Sequence, residues 1–192
     1  MLFRSVPGAG AGPHAEGRGL VKRHIVLIGL PGSGKSAVGR LVAEQLRAGF
    51  VDIDAIVERR EGRPITLIFA EKGEAAFRDM ERKEMETALA GEPAVIAPGG
   101  GWAAQPGAID TAKPHALVIY LHTRPETAAQ RAAPAGTRPT LMGEDPVERM
   151  RLLQKEREPF YRGAHAQVDT DRKSPEQVVN EVVRLAQSSA GW

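Results

Sequence analysis

The chain contains no cysteine. That excludes disulfides, thiol nucleophiles and Cys-ligated metal centres, and it leaves the redox compartment unread. No apolar run approaches the about eighteen residues of a membrane span, so no span is expected. Neither sign of charge dominates: the formal net charge is +2. The arginines are scattered and form no basic tract, so nothing points to nucleic acid. Residues 1–20 lack the continuous apolar core of a secretory signal, because Leu2, Phe3 and Val6 are the only large apolar side chains before Leu20. They are rich in glycine, contain no helix-turn-helix pattern and show little periodicity. No internal repeat is visible. What remains is an ordinary globular composition, 42% hydrophobic and 26% charged over 192 residues, enough for one domain with a full core. Residues 1–21 are expected to be a disordered extension, 22–188 a single folded domain and 189–192 a tail.

Against these absences stands one complete motif. Residues 29–36 read Gly-Leu-Pro-Gly-Ser-Gly-Lys-Ser, a full match to the phosphate-binding pattern G-x-x-x-x-G-K-[ST]. The β-branched run 24–28 before it suits a buried strand, and 37–46 after it has helical apolar spacing, which is the context that pattern requires. Gly29, Gly32 and Gly34 let the backbone turn tightly and bring N–H groups up to phosphate oxygens, aided by the positive end of the following helix. Lys35 can reach the β- and γ-phosphates, and the Ser36 hydroxyl can ligate Mg²⁺. Gly32, Ser33, Gly34, Lys35, Ser36 and Ala37 are therefore the candidate ATP-phosphate site. The alternative is a Gly-rich strand-to-helix turn that fits by chance.

Further along, 50–53 reads as a second strand and 54–60 as a helix ending at Gly62. Residues 66–89 have helical spacing with a break at Gly73. Strands are expected at 94–97, 116–122 and 166–168. Thr123-Arg-Pro-Glu126 has the form of a capping box opening a helix to Arg131, and 132–144 reads as a mobile surface loop. Residues 146–161 are helical, and Ser174-Pro-Glu-Gln177 caps a last helix to about 187. Alternating strands and helices predict an α/β fold with a five-stranded parallel sheet and helices on both faces. Ligands in such sheets bind at the carboxyl ends of strands. The phosphate loop, Asp52 and Asp54, and the Gly99-Gly100-Gly101 triplet all fall there.

Asp52 and Asp54 are two residues apart at a strand end, and strand alternation would put both on one face. One carboxylate can hold the water shell of Mg²⁺ while the other accepts a proton from an attacking alcohol. The alternative is a helix cap, a role suited to Asp54. The later apolar strand ends in His122-Thr123-Arg124 with no carboxylate, so Asp52 is the candidate metal-associated acid, an arrangement unlike a motor ATPase or GTPase. Arg78 offers a planar fork for a carboxylate, or else a structural salt bridge on its helix. The triplet at 99–101 lets a ligand approach the backbone. No Ser–His–Asp arrangement is suggested.

Taken in order, these segments resemble the shikimate kinase family. The resemblance rests on the phosphate loop, Phe50-Val-Asp-Ile-Asp54, Gly73-Glu-Ala-Ala-Phe-Arg78, the Gly triplet, Arg138-Pro139, and Arg157 followed by Pro159-Phe-Tyr161. It spans about 23–185 and implies a P-loop kinase fold of the nucleoside-monophosphate-kinase type. It also implies transfer of the ATP γ-phosphate to the 3-hydroxyl of shikimate, with Mg²⁺. On that resemblance Asp54 would be the base, Lys35 and Arg138 would serve the transferring phosphate, and Ser36 would ligate Mg²⁺ with Asp52 acting through water. Arg78 and Arg157 would hold the acceptor carboxylate, Glu81 would orient the arginines, and Gly100 and Gly101 would face the ring hydroxyls. Arg131 and Arg172 would flank the adenine. A cytoplasmic monomer acting on a small molecule, with neither nucleic acid nor membrane, is implied as well. Two features depart from the family pattern: Pro98, and the bulky Trp102, which is expected to narrow or reshape the acceptor pocket. The rival readings are another small-molecule kinase, such as gluconate or adenylate kinase, and a kinase-like ligand-sensing domain of a regulator.

Overall fold

The computed structural model describes residues 21–132 and 145–192; the expectations for residues 1–20, for the loop and for Arg138 lie outside them. Five strands run in one parallel sheet: β1 (His24–Ile28), β2 (Gly49–Asp52), β3 (Ala94–Ala97), β4 (Ala116–His122) and β5 (Ala166–Asp169). Their order is β2-β3-β1-β4-β5, with Ile25 opposite Val95 on one side and Leu117 on the other. All five residues of β1 and all four of β3 are buried. Such unbroken apolar runs are what a strand covered on both faces requires.

Pleating divides the strand residues between two cores. Ile25, Leu27, Leu117, Ile119, Leu121 and Val168 face a core closed by α1 (Lys35–Leu46) and α7 (Pro175–Ser189). Val26, Ile28, Ile96, Val118 and Tyr120 face the other. That second core is closed by α3 (Ile65–Leu89), α4 (Ala108–Ala112), α5 (Pro125–Ala132) and α6 (Pro146–Tyr161). The short α2 (Ile53–Glu61) contributes Ile53 and Val57 to it. The fold class read from the sequence is the one observed.

Several local readings hold. Ser174 caps α7 through a full capping box with Gln177, and α3 breaks at Gly73, where φ is 80°. That break lets Phe69 and Phe77 meet across the bend, with ring centroids 4.8 Å apart. Other readings are corrected. Thr123 does not cap α5; its hydroxyl lies 2.6 Å from that of Thr170. The carboxylate of Asp171 takes its place, accepting from the Arg124 N–H at 2.8 Å and the Thr127 hydroxyl at 2.7 Å. The cap thus comes from a neighbouring strand end, and local sequence carries no sign of it. The turn at Trp102–Ala104 and α4 are too short for apolar periodicity to announce.

Residues 189–192, expected as a tail, lie against the start of β1. Ala190 is buried, the Trp192 indole donates to the Arg23 carbonyl at 2.8 Å, and Arg23 donates to the Ser189 carbonyl at 2.8 Å. No helix among the described residues is long and apolar enough to cross a membrane.

Candidate active site

The carboxyl ends of β1, β2 and β3 open into two adjoining cavities. The first, about 170 Å³, lies over the phosphate loop, with Gly32, Gly34, Lys35, Ser36 and Ala37 on its wall. Gly32 has φ 79°, and a Cβ there would overlap the Ala128 carbonyl of α5, so only glycine permits this packing. Helix α1 begins at Lys35, two residues earlier than the apolar spacing indicated, which puts Lys35 and Ser36 in its first turn. Lys35 is buried, and its ammonium donates to the carbonyls of Gly29 at 3.0 Å and Leu30 at 2.9 Å. Ser33 is buried too and lies off the cavity wall.

The second cavity, about 260 Å³, is lined by Ser36, Asp52, Asp54, Arg78, Arg157 and all three glycines of the triplet. Its size suits a small metabolite rather than a drug-sized molecule. Pro31, Ile65, Phe69 and Phe77 complete an apolar wall. Ser36, Asp52 and Asp54 belong to both cavities, so the two volumes meet on these side chains.

The two aspartates reach this junction by a different route from strand alternation. Strand β2 ends at Asp52, which is the N-cap of α2 and accepts from the Ala55 N–H at 3.2 Å. Its other oxygen accepts from the Ser36 hydroxyl at 2.7 Å. Ile53 is already helical and fully buried, and Asp54 stands in the first helical turn, where the helix dipole favours a negative charge. The capping role considered for Asp54 therefore belongs to Asp52.

Around the triplet, side chains press against bare backbone. A Cβ on Gly99 would lie 2.5 Å from Glu81 Oε1 and 2.8 Å from Asp54 Oδ1. On Gly100 it would lie 3.1 Å from Pro31 Cδ and 3.2 Å from Arg157 Nη1, and on Gly101 it would overlap the Arg78 guanidinium. None of the three has a positive φ, so close approach, not backbone conformation, is what requires glycine here.

Arg78 pairs with Glu81 at 2.6 Å and with Glu74 at 3.1 Å. Burial opposes its charge, but the two glutamates outweigh that and hold its pKa above the ordinary value. The salt bridge and the place on the cavity wall are thus both real. Glu81 has no exposed surface. Burial pushes its pKa up from 4.5 to about 7, against the pull of Arg78 and with a further push from Asp54. Arg157 makes no ion pair among the described residues, and its guanidinium stands beside Gly100.

Trp102, expected to narrow or reshape this cavity, is not on its wall. It is 5% exposed and packs into the core behind Arg78, beside Met85 and Leu89. Arg131 lies on the wall of the phosphate-loop cavity, donating to the Thr170 hydroxyl at 3.2 Å. Arg172 is exposed, has φ 58° and lines neither cavity. Sequence reasoning passed over Glu58, which lines the second cavity and accepts from the Ile65 N–H at 2.9 Å, tying α3 to α2. It sits in a charged stretch with no motif to mark it. Pro31 was passed over as well, as a variable position of the loop pattern.

A family model described as shikimate kinase matches residues 31–187. The chain is 44% identical over 167 residues to the shikimate kinase of Symbiobacterium thermophilum, covering 85% of this chain and 96% of that one. It is 43% identical over 159 residues to the shikimate kinase of Mycobacterium avium, covering 82% and 90%. Among solved structures it is similar to a shikimate kinase from Acinetobacter baumannii in complex with shikimate. The TM-score is 0.83 and the identity 34%, with 87% of this chain and 94% of that one covered.

The raised Glu81 pKa makes a prediction about stability. Between pH 4.5 and about 7 the native state holds a proton on Glu81 that the unfolded chain has released, so stability should fall as pH rises through that window and level off above it. Glu81→Gln should remove this component of the slope. Urea unfolding of both proteins across and above the window measures it, and parallel curves would contradict the assignment.

Proposed function

The chain belongs to the shikimate kinase family, and from that membership we propose that it transfers the γ-phosphate of ATP to the 3-hydroxyl of shikimate, giving shikimate 3-phosphate and ADP. The observation that carries this reading is the meeting of the two cavities on Ser36, Asp52 and Asp54. One cavity offers phosphate-loop donors and a buried ammonium; the other offers a guanidinium pair suited to a carboxylate. A donor and an acceptor bound in them would share the wall where the transfer has to happen.

In this mechanism Arg78 and Arg157 hold the acceptor carboxylate, and the triplet backbone meets the ring. The 3-hydroxyl oxygen attacks the γ-phosphorus, the bond from phosphorus to the β-bridging oxygen breaks, and the hydroxyl proton passes to Asp54. Phosphoryl transfer of this kind depends on positioning and on stabilising charge more than on covalent chemistry. Lys35, whose ammonium donates to its own loop's carbonyls, would turn from them to meet the β- and γ-phosphates. Glu81 fixes one edge of the Arg78 fork and leaves the cavity face of the guanidinium for the acceptor.

The Ser36 hydroxyl and the Asp52 carboxylate, 2.7 Å apart beside Lys35, are hard oxygen donors that fit Mg²⁺. Among the described residues no cluster of three or more acidic, histidine or cysteine side chains would cage a metal. Mg²⁺ needs no such cage, since it retains waters and takes phosphate oxygens. Ser36 would ligate the ion directly and Asp52 through water. Bound there, it would offset charge on the phosphate oxygens.

An ADP-release assay with shikimate, gluconate and AMP offered separately tests the reading. ADP should form with shikimate alone, whereas a sensing domain would bind a ligand and release none. Asp54→Asn should abolish turnover while nucleotide affinity, read by titration with ADP, stays close to wild type; near-normal turnover would remove Asp54 as base. Arg78→Ala should raise the acceptor KM on the order of ten- to a hundredfold, the loss of one charge-assisted hydrogen bond. An unchanged KM would contradict that role.

A further inference from the structure

We propose that Tyr161 is a positioning residue for the acceptor site, acting through the glycine triplet. This rests on the reading of the second cavity as the place where the acceptor binds. Tyr161 has no exposed surface, and its hydroxyl donates to the Gly100 carbonyl at 2.6 Å. The proposed chemistry gives it no part, and it is not on the wall of the second cavity.

The neighbouring carbonyls are secured as well. Gly99 O accepts from the Trp102 N–H at 3.2 Å, and Gly101 O accepts from Gln105 Nε2 at 3.2 Å. Those two bonds are local, made by residues three and four positions further along the chain. The Gly100 carbonyl is held by a side chain 61 residues away in sequence, so this bond fixes the triplet relative to α6. The peptide between Gly100 and Gly101 is trans, which points its N–H opposite to its carbonyl. Fixing the carbonyl therefore fixes the bearing of the Gly101 N–H as well.

Two arginines register the same constraint. Gly101 is pressed against the Arg78 guanidinium, and Gly100 stands beside Arg157 Nη1. Any rotation of the peptide between them displaces the backbone on which both guanidiniums rest. Arg157 and Tyr161 are four apart on α6, hence on one face of that helix. The same turn of helix delivers a cation to the cavity and locks the backbone beside it. Without the phenol hydroxyl the buried Gly100 carbonyl loses its partner, and the peptide is free to turn in search of another.

The test is Tyr161→Phe, which keeps the ring and its packing against Tyr120, where the centroids are 5.1 Å apart. Shikimate and ATP kinetics, with a calorimetric titration of shikimate, should show the acceptor KM and Kd up about tenfold, and kcat and the ATP KM within about twofold of wild type. Tyr120→Phe is the control: that tyrosine is equally buried but makes no hydrogen bond to the triplet, and it should leave the acceptor KM unchanged. An acceptor KM in Tyr161→Phe within about twofold of wild type, or an equal rise in the acceptor and ATP KM values, would overturn the proposal. So would matching acceptor effects in the two tyrosine variants. A wild-type protein that releases no ADP with shikimate would instead overturn the acceptor assignment, and this inference with it.

Discussion

A fully buried carboxylate governs the wall of the second cavity. Glu81 has no exposed surface, and an isolated charge in that position would be costly enough to neutralise itself. The Arg78 guanidinium, 2.6 Å away, makes it tolerable. In return Glu81 holds Arg78 in a single orientation, since one edge of the fork is committed to it and another to Glu74. A flexible arginine would lose much of its rotamer freedom on meeting a ligand; this one has lost it on folding. Burial raises the pKa of Glu81 in spite of the Arg78 pairing, and the bare backbone of the triplet is the steric trace of the pair, because any Cβ at 99 or 101 would strike one partner or the other.

The sheet brings the remaining parts together. Strand order β2-β3-β1-β4-β5 sets the ends of β1, β2 and β3 side by side. The phosphate loop, the Asp52 cap and the triplet thereby converge although 70 residues separate the first from the last. The phosphate loop and the triplet come from the ends of buried strands paired on both sides, the most rigid kind of element available to position a group. Asp52 ends a half-buried edge strand paired with β3. Helices α2, α3 and α6 then supply Asp54, Arg78 and Arg157 from three directions.

Much of this was legible in the sequence, for identifiable reasons. Continuous apolar runs announced a doubly covered parallel sheet, and the phosphate loop announced its own geometry, since glycines, lysine and serine at fixed spacing have few other uses. Glycine at 73 and the Ser174 box marked a break and a cap because their backbone chemistry is local. Contacts set by tertiary structure were less legible. Asp52 and Asp54 both line the cavities, but not through strand alternation, because α2 starts one residue after Asp52. Trp102 was expected at the cavity because it follows the glycines directly, yet the turn after the triplet carries it into the core. Nothing local could have told that Asp171 caps α5 or that Tyr161 reaches Gly100, since both partners are distant in the chain.

The contact between Trp192 and Arg23 carries a consequence for handling the protein. Arg23 and Trp192 meet at one pole, where β1 begins, while both cavities open where β1 ends. A strand of that length puts about 15 Å of buried sheet between the two poles. An affinity tag, surface tether or fused partner joined after Trp192 would hang from the pole away from the two cavities, and protein immobilised there would present them outward to solution.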